Sequence, residues 1–350
     1  MWQSTQAGET AATPKLPPTG ECAREGGTAG QHYLFAIDND LLLGAQFDRD
    51  YTGGISLMAA GPTGCSAVAR AVYDLLAGTT RACAATGTPS RDAPWCSLQF
   101  SAALFTPNRS DEPIDHDGDR PYASLLQLAI GTLKPVDPAR TAHASNLSVG
   151  VLGSQLGRHG QAFVHKVFGN GEPLGWARQI SDGGELTARW KHERQAFAGE
   201  TTTARGARVE WKTAWDLQLG YLTGVGASVG VRTGRFRTPW WLFNPQSQDY
   251  DLRDAPSISD GRSERFWYGG IRIKLIGYNA LLQGQFRESA LAYAADELNP
   301  VIAQGWVGYR HALNRNATLG IEFRFQTAEL DTSQGERPAY WGNVTLDWRE

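Results

Sequence analysis

The sequence predicts an all-β fold: a twelve-stranded antiparallel transmembrane β-barrel with a short helix in a long extracellular loop. Composition, residue alternation and the lengths of the connections each support this prediction. The 350 residues include 40 Gly, 12 Trp, 11 Tyr and 13 Phe, yet the mean hydropathy is only −0.37. Abundant glycine and aromatic residues at low hydropathy are typical of strands that are apolar on one face only, as in a barrel with a polar lumen.

The charge balance excludes several classes of protein. The net charge is −3 and the isoelectric point is about 6.2, so no basic surface suggests a nucleic-acid partner. No apolar run reaches the roughly 18 residues that a transmembrane helix needs. Residues 1–31 are rich in Thr, Gly, Pro and Ala and contain no readable signal peptide. We therefore expect a flexible N-terminal segment over 1–31 and a single barrel domain over 32–350.

Alternation with a period of two marks the strands. In one of them Ile271, Ile273 and Leu275 alternate with Arg272 and Lys274, which places aliphatic side chains toward lipid and charges toward a lumen. The predicted strands are 33–38, 55–60, 97–105, 121–133, 146–153, 208–221, 226–236, 266–277, 280–289, 301–312, 317–326 and 340–348.

The connections alternate in length from the sixth strand on, with short turns between long loops. Short turns at one end and long loops at the other are typical of outer-membrane barrels, and an even strand number agrees with this. A soluble β-sandwich has the same period, but its shorter strands and evenly sized turns fit less well. Two regions depart from this alternation of short and long connections. One is an insertion over 61–96, and the other is a long loop over 154–205 that we expect to be extracellular.

The four cysteines lie in the first third of the chain, at Cys22, Cys65, Cys83 and Cys96. Their spacing matches no zinc pattern. An even number in loop-like sequence favours one or two disulfides in an oxidising compartment, with the pairing open, over four free thiols.

Two polar segments carry candidate chemistry. Asn39 and Asp40 precede Thr52, and Gln161 and His165 lie four residues apart in a stretch with helical spacing, so that they share a helix face. These residues supply a carboxylate, a hydroxyl, two amides and an imidazole, which suffice for metal-assisted hydrolysis by an activated water. In the predicted topology these residues, together with Arg120 and Tyr122, converge on one end of the barrel.

The same residues fall in blocks that resemble a known family, the outer-membrane lipid A deacylases of the LpxR type, which are calcium-dependent (lipid A 3′-O-deacylase type). The resemblance covers roughly residues 32–348. Its blocks are 37–40 with 48–54, 104–107, 119–123, 150–155 with Gln161 and His165, 175–179, and 267–270. Two positions depart from the family pattern: Gly53 stands where the family has Asn, and Ser124 where it has Gly.

The resemblance implies a role for each site residue. His165 would act as the general base on a water that attacks an acyl ester of lipid A, and a Ca²⁺ ion held by Asp40 would stabilise the oxyanion. Asn39, Thr52 and Gln161 would orient water, base or substrate. Arg120 and Tyr122 would bind substrate, with Arg120 at a lipid A phosphate. The partners implied are lipopolysaccharide and the bacterial outer membrane.

Other interpretations stay open at this stage. Asn39 and Asp40 are also typical of a residue pair that ends a strand, and Arg120 could be a lumen charge paired with Asp119. The whole chain could be a catalytically silent barrel, either a porin or a lipopolysaccharide-binding protein. A soluble β-rich hydrolase is a further alternative, although the absence of a G-x-S-x-G motif disfavours an α/β-hydrolase. The sequence leaves open which acyl chain is removed and the oligomeric state.

Overall fold

The computed structural model describes residues 31–40, 49–62, 95–108, 118–155, 157–159, 175–250, 252–259 and 263–350. Within them, twelve strands close into an antiparallel barrel in the order β1-β14-β13-β12-β11-β8-β7-β6-β5-β4-β3-β2. The barrel strands are β1 His32–Asn39, β2 Asp50–Pro62, β3 Trp95–Thr106, β4 Ala123–Asp137, β5 Thr141–Leu152, β6 Glu185–Thr202, β7 Arg208–Gly220, β8 Leu222–Arg235, β11 Arg265–Asn279, β12 Val301–Ala312, β13 Ala317–Gln326 and β14 Ala339–Arg349. The short strands β9 Gln248–Asp249 and β10 Leu252–Arg253 form a separate hairpin. The short helix α1 spans Ala280–Gln283.

The strands alternate between a polar inner face and an apolar outer face. In β11, Arg272 and Lys274 are buried, whereas Ile271 and Ile273 are more than half exposed. This alternation inverts the usual arrangement of a soluble protein and is that of a membrane barrel. No helix among the described residues is long and apolar enough to cross a membrane.

The predicted fold class and the number of barrel strands are confirmed, but two strand assignments were wrong. Residues 185–202, expected within the loop 154–205, form strand β6, and residues 280–289, expected as a strand, begin with helix α1. The loop between β5 and β6 therefore ends at residue 184.

Both errors have a physical cause. The inner face of β6 carries the buried charged residues Arg189, Lys191 and Glu193, so its sequence is as polar as that of a loop. In 280–289, Leu281 and Leu282 are buried by a helical turn, and the Asn279 side chain accepts a hydrogen bond from the Leu281 amide at its start. An apolar pair that follows a helix cap thus resembles the start of a strand in the sequence.

The added strand changes which end of the barrel each later connection occupies. We call the end that carries the β1–β2, β3–β4 and β5–β6 connections the upper rim. The opposite end, the lower end, carries the short turns at 138–140, 203–207 and 313–316. The long connection 236–264 also lies at the lower end, and the sharp turn at Tyr221 lies at the upper rim. The expected separation of long loops from short turns therefore holds for only some of the connections.

The connection 236–264 folds back into the lumen, and we call its described residues the plug. It hydrogen bonds to the inner faces of strands on opposite sides of the barrel. Gln248 donates to Asp38 of β1, Arg253 donates to Ser56 of β2, and the Ser259 amide donates to Asp347 of β14. On the other side, the Ser247 hydroxyl contacts both carboxylate oxygens of Glu193 in β6.

Buried charges fasten the plug to the wall. Asp249 lies within 2.8 Å of Lys191 and of Arg272, and within 3.5 Å of Lys274. Asp254 lies 2.5 Å from Arg189 and 2.8 Å from Lys191. Because removing one partner of a buried ion pair leaves an uncompensated charge, displacing the plug would leave these cations unpaired at a cost in free energy.

Cys96 at the start of β3 is disulfide-bonded, which confirms the predicted use of disulfides at this position. Its partner and the remaining pairing lie outside the described residues, as do Cys22, Cys65 and Cys83.

Candidate active site

Thr52 occupies a β-bulge at the upper rim. Tyr51 pairs with Phe105 and Gly53 pairs with Leu104, so Thr52 is an extra residue in the β2–β3 ladder. The bulge directs the Thr52 hydroxyl to within 2.6 Å of the Thr106 hydroxyl. Bulges often re-aim a side chain next to an active site, and here one sets two hydroxyls side by side.

Asn39 holds this bulge from the neighbouring strand. Its side-chain amide donates a 3.0 Å hydrogen bond to the Thr52 carbonyl. Asn39 pairs with Gly53 across the β1–β2 ladder. A Cβ at Gly53 would lie 2.7 Å from the Asp38 carbonyl and 3.1 Å from the Asn39 amide nitrogen. Glycine at 53 therefore lets the Asn39 side chain reach the bulge.

Asp40 follows directly after β1 and is buried. One of its carboxylate oxygens accepts a 3.0 Å hydrogen bond from the Arg49 amide, which joins the two ends of the β1–β2 connection. A carboxylate is the type of ligand that calcium prefers, but calcium takes six to eight oxygens. Among the described residues, no group of three or more His, Cys, Asp or Glu side chains is placed to hold a metal ion. The described part of the site thus fits calcium in ligand type and not in ligand number.

Arg120 is buried at the rim and forms an ion pair with Glu329 of the β13–β14 connection, at 2.5 Å. Its guanidinium also lies 4.5 Å from the centre of the Phe105 ring. Burial alone would raise the pKa of Glu329, but the charges of Arg120 and Lys274 and the hydrogen bonds from Arg120 and Tyr250 together lower that pKa. The Nε and Nη2 groups of Arg120 have no hydrogen-bond partner among the described residues.

The Asp119 side chain, which the alternative interpretation paired with Arg120, is instead bound by the Arg337 guanidinium. Arg337 lies 2.5 Å from Asp119 and makes two hydrogen bonds, of 2.9 and 2.8 Å, to Asp50. Asp50 has a φ of +62°, an uncommon conformation for a non-glycine residue, directly before the bulge. The forked guanidinium thus ties the β3–β4 and β13–β14 connections to the start of β2.

Residues 122–124 anchor both ends of the β5–β6 loop. The Tyr122 carbonyl accepts from the Ile180 amide at 2.8 Å, and its ring packs on Trp176 at 4.9 Å. The Ser124 carbonyl accepts from the Gly153 amide at 2.8 Å. The Ser124 hydroxyl lies 2.9 Å from the Ser154 carbonyl and 3.0 Å from the Gln179 side-chain oxygen. The serine that replaces the family's glycine therefore contacts both ends of the loop.

The structure brings several predicted site residues together and leaves others untested. Asn39, Asp40, Thr52, Arg120 and Tyr122 all lie at the upper rim. Gln161 and His165 lie outside the described residues, so their positions relative to this cluster stay a prediction. They belong to the β5–β6 loop, whose ends are anchored at the same rim.

Sequence reasoning missed Glu329 and the plug residue Tyr250. Tyr250 donates a 2.7 Å hydrogen bond to Glu329. Nothing in the local sequence marks either residue. A signal for the plug was present in the strands, since Arg189 with Lys191 and Arg272 with Lys274 place cations on inner faces that need buried counter-charges.

A family model and one solved structure of that family agree with this architecture. The family model described as "Outer membrane protein LpxR" matches residues 10–350. LpxR from Salmonella typhimurium superposes with a TM-score of 0.69 at 15% identity, covering 91% of this chain and 99% of that chain. The β domain of the Bordetella autotransporter BrkA gives a TM-score of 0.42 at 7% identity, covering 91% and 99%. The transport unit of the Escherichia coli autotransporter AIDA-I gives 0.40 at 7%, covering 93% and 91%. No curated protein sequence matches the chain.

Proposed function

Because the chain belongs to the LpxR family of outer-membrane proteins, we propose that it hydrolyses an acyl ester of lipid A in the bacterial outer membrane. The observation that carries the proposal is the cluster at the upper rim. There a bulge sets the hydroxyls of Thr52 and Thr106 together beside Asn39, at the end of the barrel that holds the anchored β5–β6 loop.

The proposed reaction is a direct hydrolysis. His165 removes a proton from a water molecule, and the resulting hydroxide attacks the ester carbonyl to form a tetrahedral intermediate. The bond between the acyl carbon and the sugar oxygen then breaks, and His165 returns the proton to that leaving oxygen. The products are a free fatty acid and a lipid A with one acyl chain fewer.

The remaining residues orient the reactants. Gln161, four residues before His165 in the sequence, positions the imidazole or the water, and the Thr52 hydroxyl offers a hydrogen bond to the water or the substrate. Asn39 acts on Thr52 by fixing the bulge carbonyl. A Ca²⁺ ion held by Asp40, with further oxygens from outside the described residues, would supply positive charge opposite the developing oxyanion.

The burial of Arg120 and Tyr122 favours an indirect role for both in substrate binding. The Arg120 charge is already compensated by Glu329, and the Tyr122 ring is covered by Trp176. We propose that Arg120 supports the β3–β4 connection from within and that Tyr122 anchors the loop bearing His165. In this view the lipid A phosphates are bound by other groups.

The plug disfavours the porin alternative. It hydrogen bonds across the lumen to β1, β2, β6 and β14, which opposes free diffusion of solutes through the barrel. A silent lipopolysaccharide-binding barrel stays the competing hypothesis, because such a protein needs no pore.

Mass spectrometry of lipid A separates the two hypotheses. Cells expressing the wild type should yield lipid A lacking one acyl chain, whereas His165→Ala should yield the intact form. His159→Ala is the matched control, because His159 is an exposed histidine at the start of the same loop. Identical spectra for wild type, His165→Ala and empty cells would refute the enzyme hypothesis. Asp40→Asn and a calcium chelator test the metal separately: if activity survives both, the calcium proposal fails while the hydrolase proposal stands.

A further inference from the structure

We propose that the tip of the plug, Gln248 and Tyr250, is the floor of the active site and positions its reactive groups from the lumen side. The roles of the reactive groups rest on the proposed function. The contacts that define the floor are independent of it.

The plug tip contacts the lumen-facing neighbours of three rim residues, which are Asn39, Thr52 and Thr106. Gln248 donates to Asp38, the residue before Asn39, at 3.2 Å. The Tyr250 ring lies 5.0 Å from Tyr51, the residue before Thr52, and 4.8 Å from Phe105, the residue before Thr106. Since successive side chains of a strand point to opposite faces, Asp38 and Phe105 turn inward where Asn39 and Thr106 do not. Thr52, in the bulge, lies on the side of Thr106, because the two hydroxyls are in contact.

The contacts continue to the Arg120 ion pair. The Tyr250 hydroxyl donates to one carboxylate oxygen of Glu329 at 2.7 Å, and Arg120 binds the other oxygen at 2.5 Å. Asp38 is shared in a similar way, because the Tyr51 hydroxyl and the Gln248 amide both donate to the same carboxylate oxygen. The plug tip therefore joins β1, β2, β3 and the β13–β14 connection in one hydrogen-bonded and aromatic cluster.

The backbone of the tip is held in an uncommon conformation. Tyr250 has a φ of +54°, a left-handed value that bulky residues rarely adopt. The Gln248 amide donates a 2.6 Å hydrogen bond to the Tyr250 carbonyl, and the preceding Asp249 is fixed by the lumen cations. Such conformations persist only where the surroundings over-determine them, and they concentrate at functional sites.

This arrangement makes Gln248 and Tyr250 positioning residues for Thr52 and Asn39. A shift of about 1 Å in a reacting group can cost up to about 100-fold in rate. Loss of the Tyr250 ring should therefore lower kcat more than it changes KM. The plug tip contacts the residues behind the reacting groups and orients those groups, but it does not contact the substrate.

Hydrogen exchange and kinetics on the purified full-length barrel test the inference. In Tyr250→Leu, amides 50–53 of the bulge should exchange about tenfold faster than in the wild type, while amides of the β12–β13 turn are unchanged. kcat should fall about tenfold with KM within about twofold. Tyr250→Phe keeps the ring and should restore most of the bulge protection. Gln246→Ala is the control within the plug, because Gln246 hydrogen bonds to Glu193 of β6 and to neighbouring plug residues.

The outcomes are distinct. Unchanged exchange at 50–53 in Tyr250→Leu, or an equal effect in Gln246→Ala, overturns the inference. If the wild type releases no acyl chain, the proposed function fails, but the exchange measurement still decides whether the plug holds the bulge. If Tyr250→Leu does not fold, Tyr250→Phe provides the test, because it removes only the hydroxyl that binds Glu329, the partner of Arg120. The amides of residues 118–120 should then exchange faster in Tyr250→Phe than in the wild type. No change at these amides overturns the inference.

Discussion

Removing the carboxylate of Glu329 should destabilise the barrel, because Arg120 would keep its charge in a buried position. Glu329 accepts hydrogen bonds from Arg120, Tyr250 and Asn279, at 2.5, 2.7 and 3.1 Å. Arg120 is 4% exposed, so water does not readily replace the lost partner. Breaking a buried ion pair by removing one partner costs about 3–5 kcal/mol. A glutamine at 329 can still accept from Tyr250, so we expect Glu329→Gln to lie near the lower value.

A double-mutant cycle isolates the charge effect. Arg120→Met alone leaves the Glu329 carboxylate without its cation and should cost a similar amount. The double variant places a methionine against the Phe105 ring and leaves no buried charge at this position, so it should be at least about 3 kcal/mol more stable than the sum of the single changes. Replacing both members of a buried pair is often close to neutral.

Urea unfolding of the refolded barrel in detergent micelles, followed by tryptophan fluorescence, measures each free energy. The exposed pair Arg208–Glu200, at 44% and 52% exposure, is the matched control. Glu200→Gln there should cost less than about 1 kcal/mol. If the Arg120 and Glu329 changes were additive within about 0.5 kcal/mol, the buried pair would not be the source of the stability, and the reasoning would be refuted.

Three further predictions concern the rim. Asn39→Ala should destabilise the protein by about 1 kcal/mol and lower kcat, since the Thr52 carbonyl loses its 3.0 Å hydrogen bond. Urea unfolding measures the first effect and enzyme kinetics the second. An unchanged kcat would contradict the role of Asn39. Ser124→Gly should make the β5–β6 loop more sensitive to limited proteolysis, because its hydroxyl contacts both loop ends; equal cleavage rates would contradict this. The pKa of Glu329 is lower in the folded protein than its ordinary value of 4.5, so its contribution is fully present above 4.5 and is lost as the pH falls through the folded pKa. The difference in unfolding free energy between wild type and Glu329→Gln should therefore shrink below pH 4.5, and a difference that grows with acid would contradict the assignment.

Much of the architecture was predictable because lipid-facing strands leave a period-two pattern. β11 was recognised from Ile271, Ile273 and Leu275, and its structure follows that pattern. β6 was missed because its outward face mixes Leu186 and Trp190 with His192, while its inward face is charged. Hydropathy alone cannot separate such a strand from a loop. The ion pairs that reveal it are contacts of Arg189 and Lys191 with the plug, far away in sequence.

The sequence identified residues of the candidate site but not the residues that they contact. Asn39, Thr52 and Arg120 were identified from their blocks, and all lie at the upper rim. The bulge at Thr52 depends on a register shift between β2 and β3, which no local pattern encodes. The choice of Glu329 over Asp119 as the partner of Arg120 depends likewise on a loop more than two hundred residues away.

The charge match between plug and wall also constrains how related sequences can vary. Arg189, Lys191, Arg272 and Lys274 point into the lumen, and the plug supplies Asp249 and Asp254 as counter-charges. A relative that shortens the β8–β11 connection would leave these cations buried without those acids. Such a relative should also have replaced the lumen cations by neutral residues, so the two features are expected to be gained and lost together.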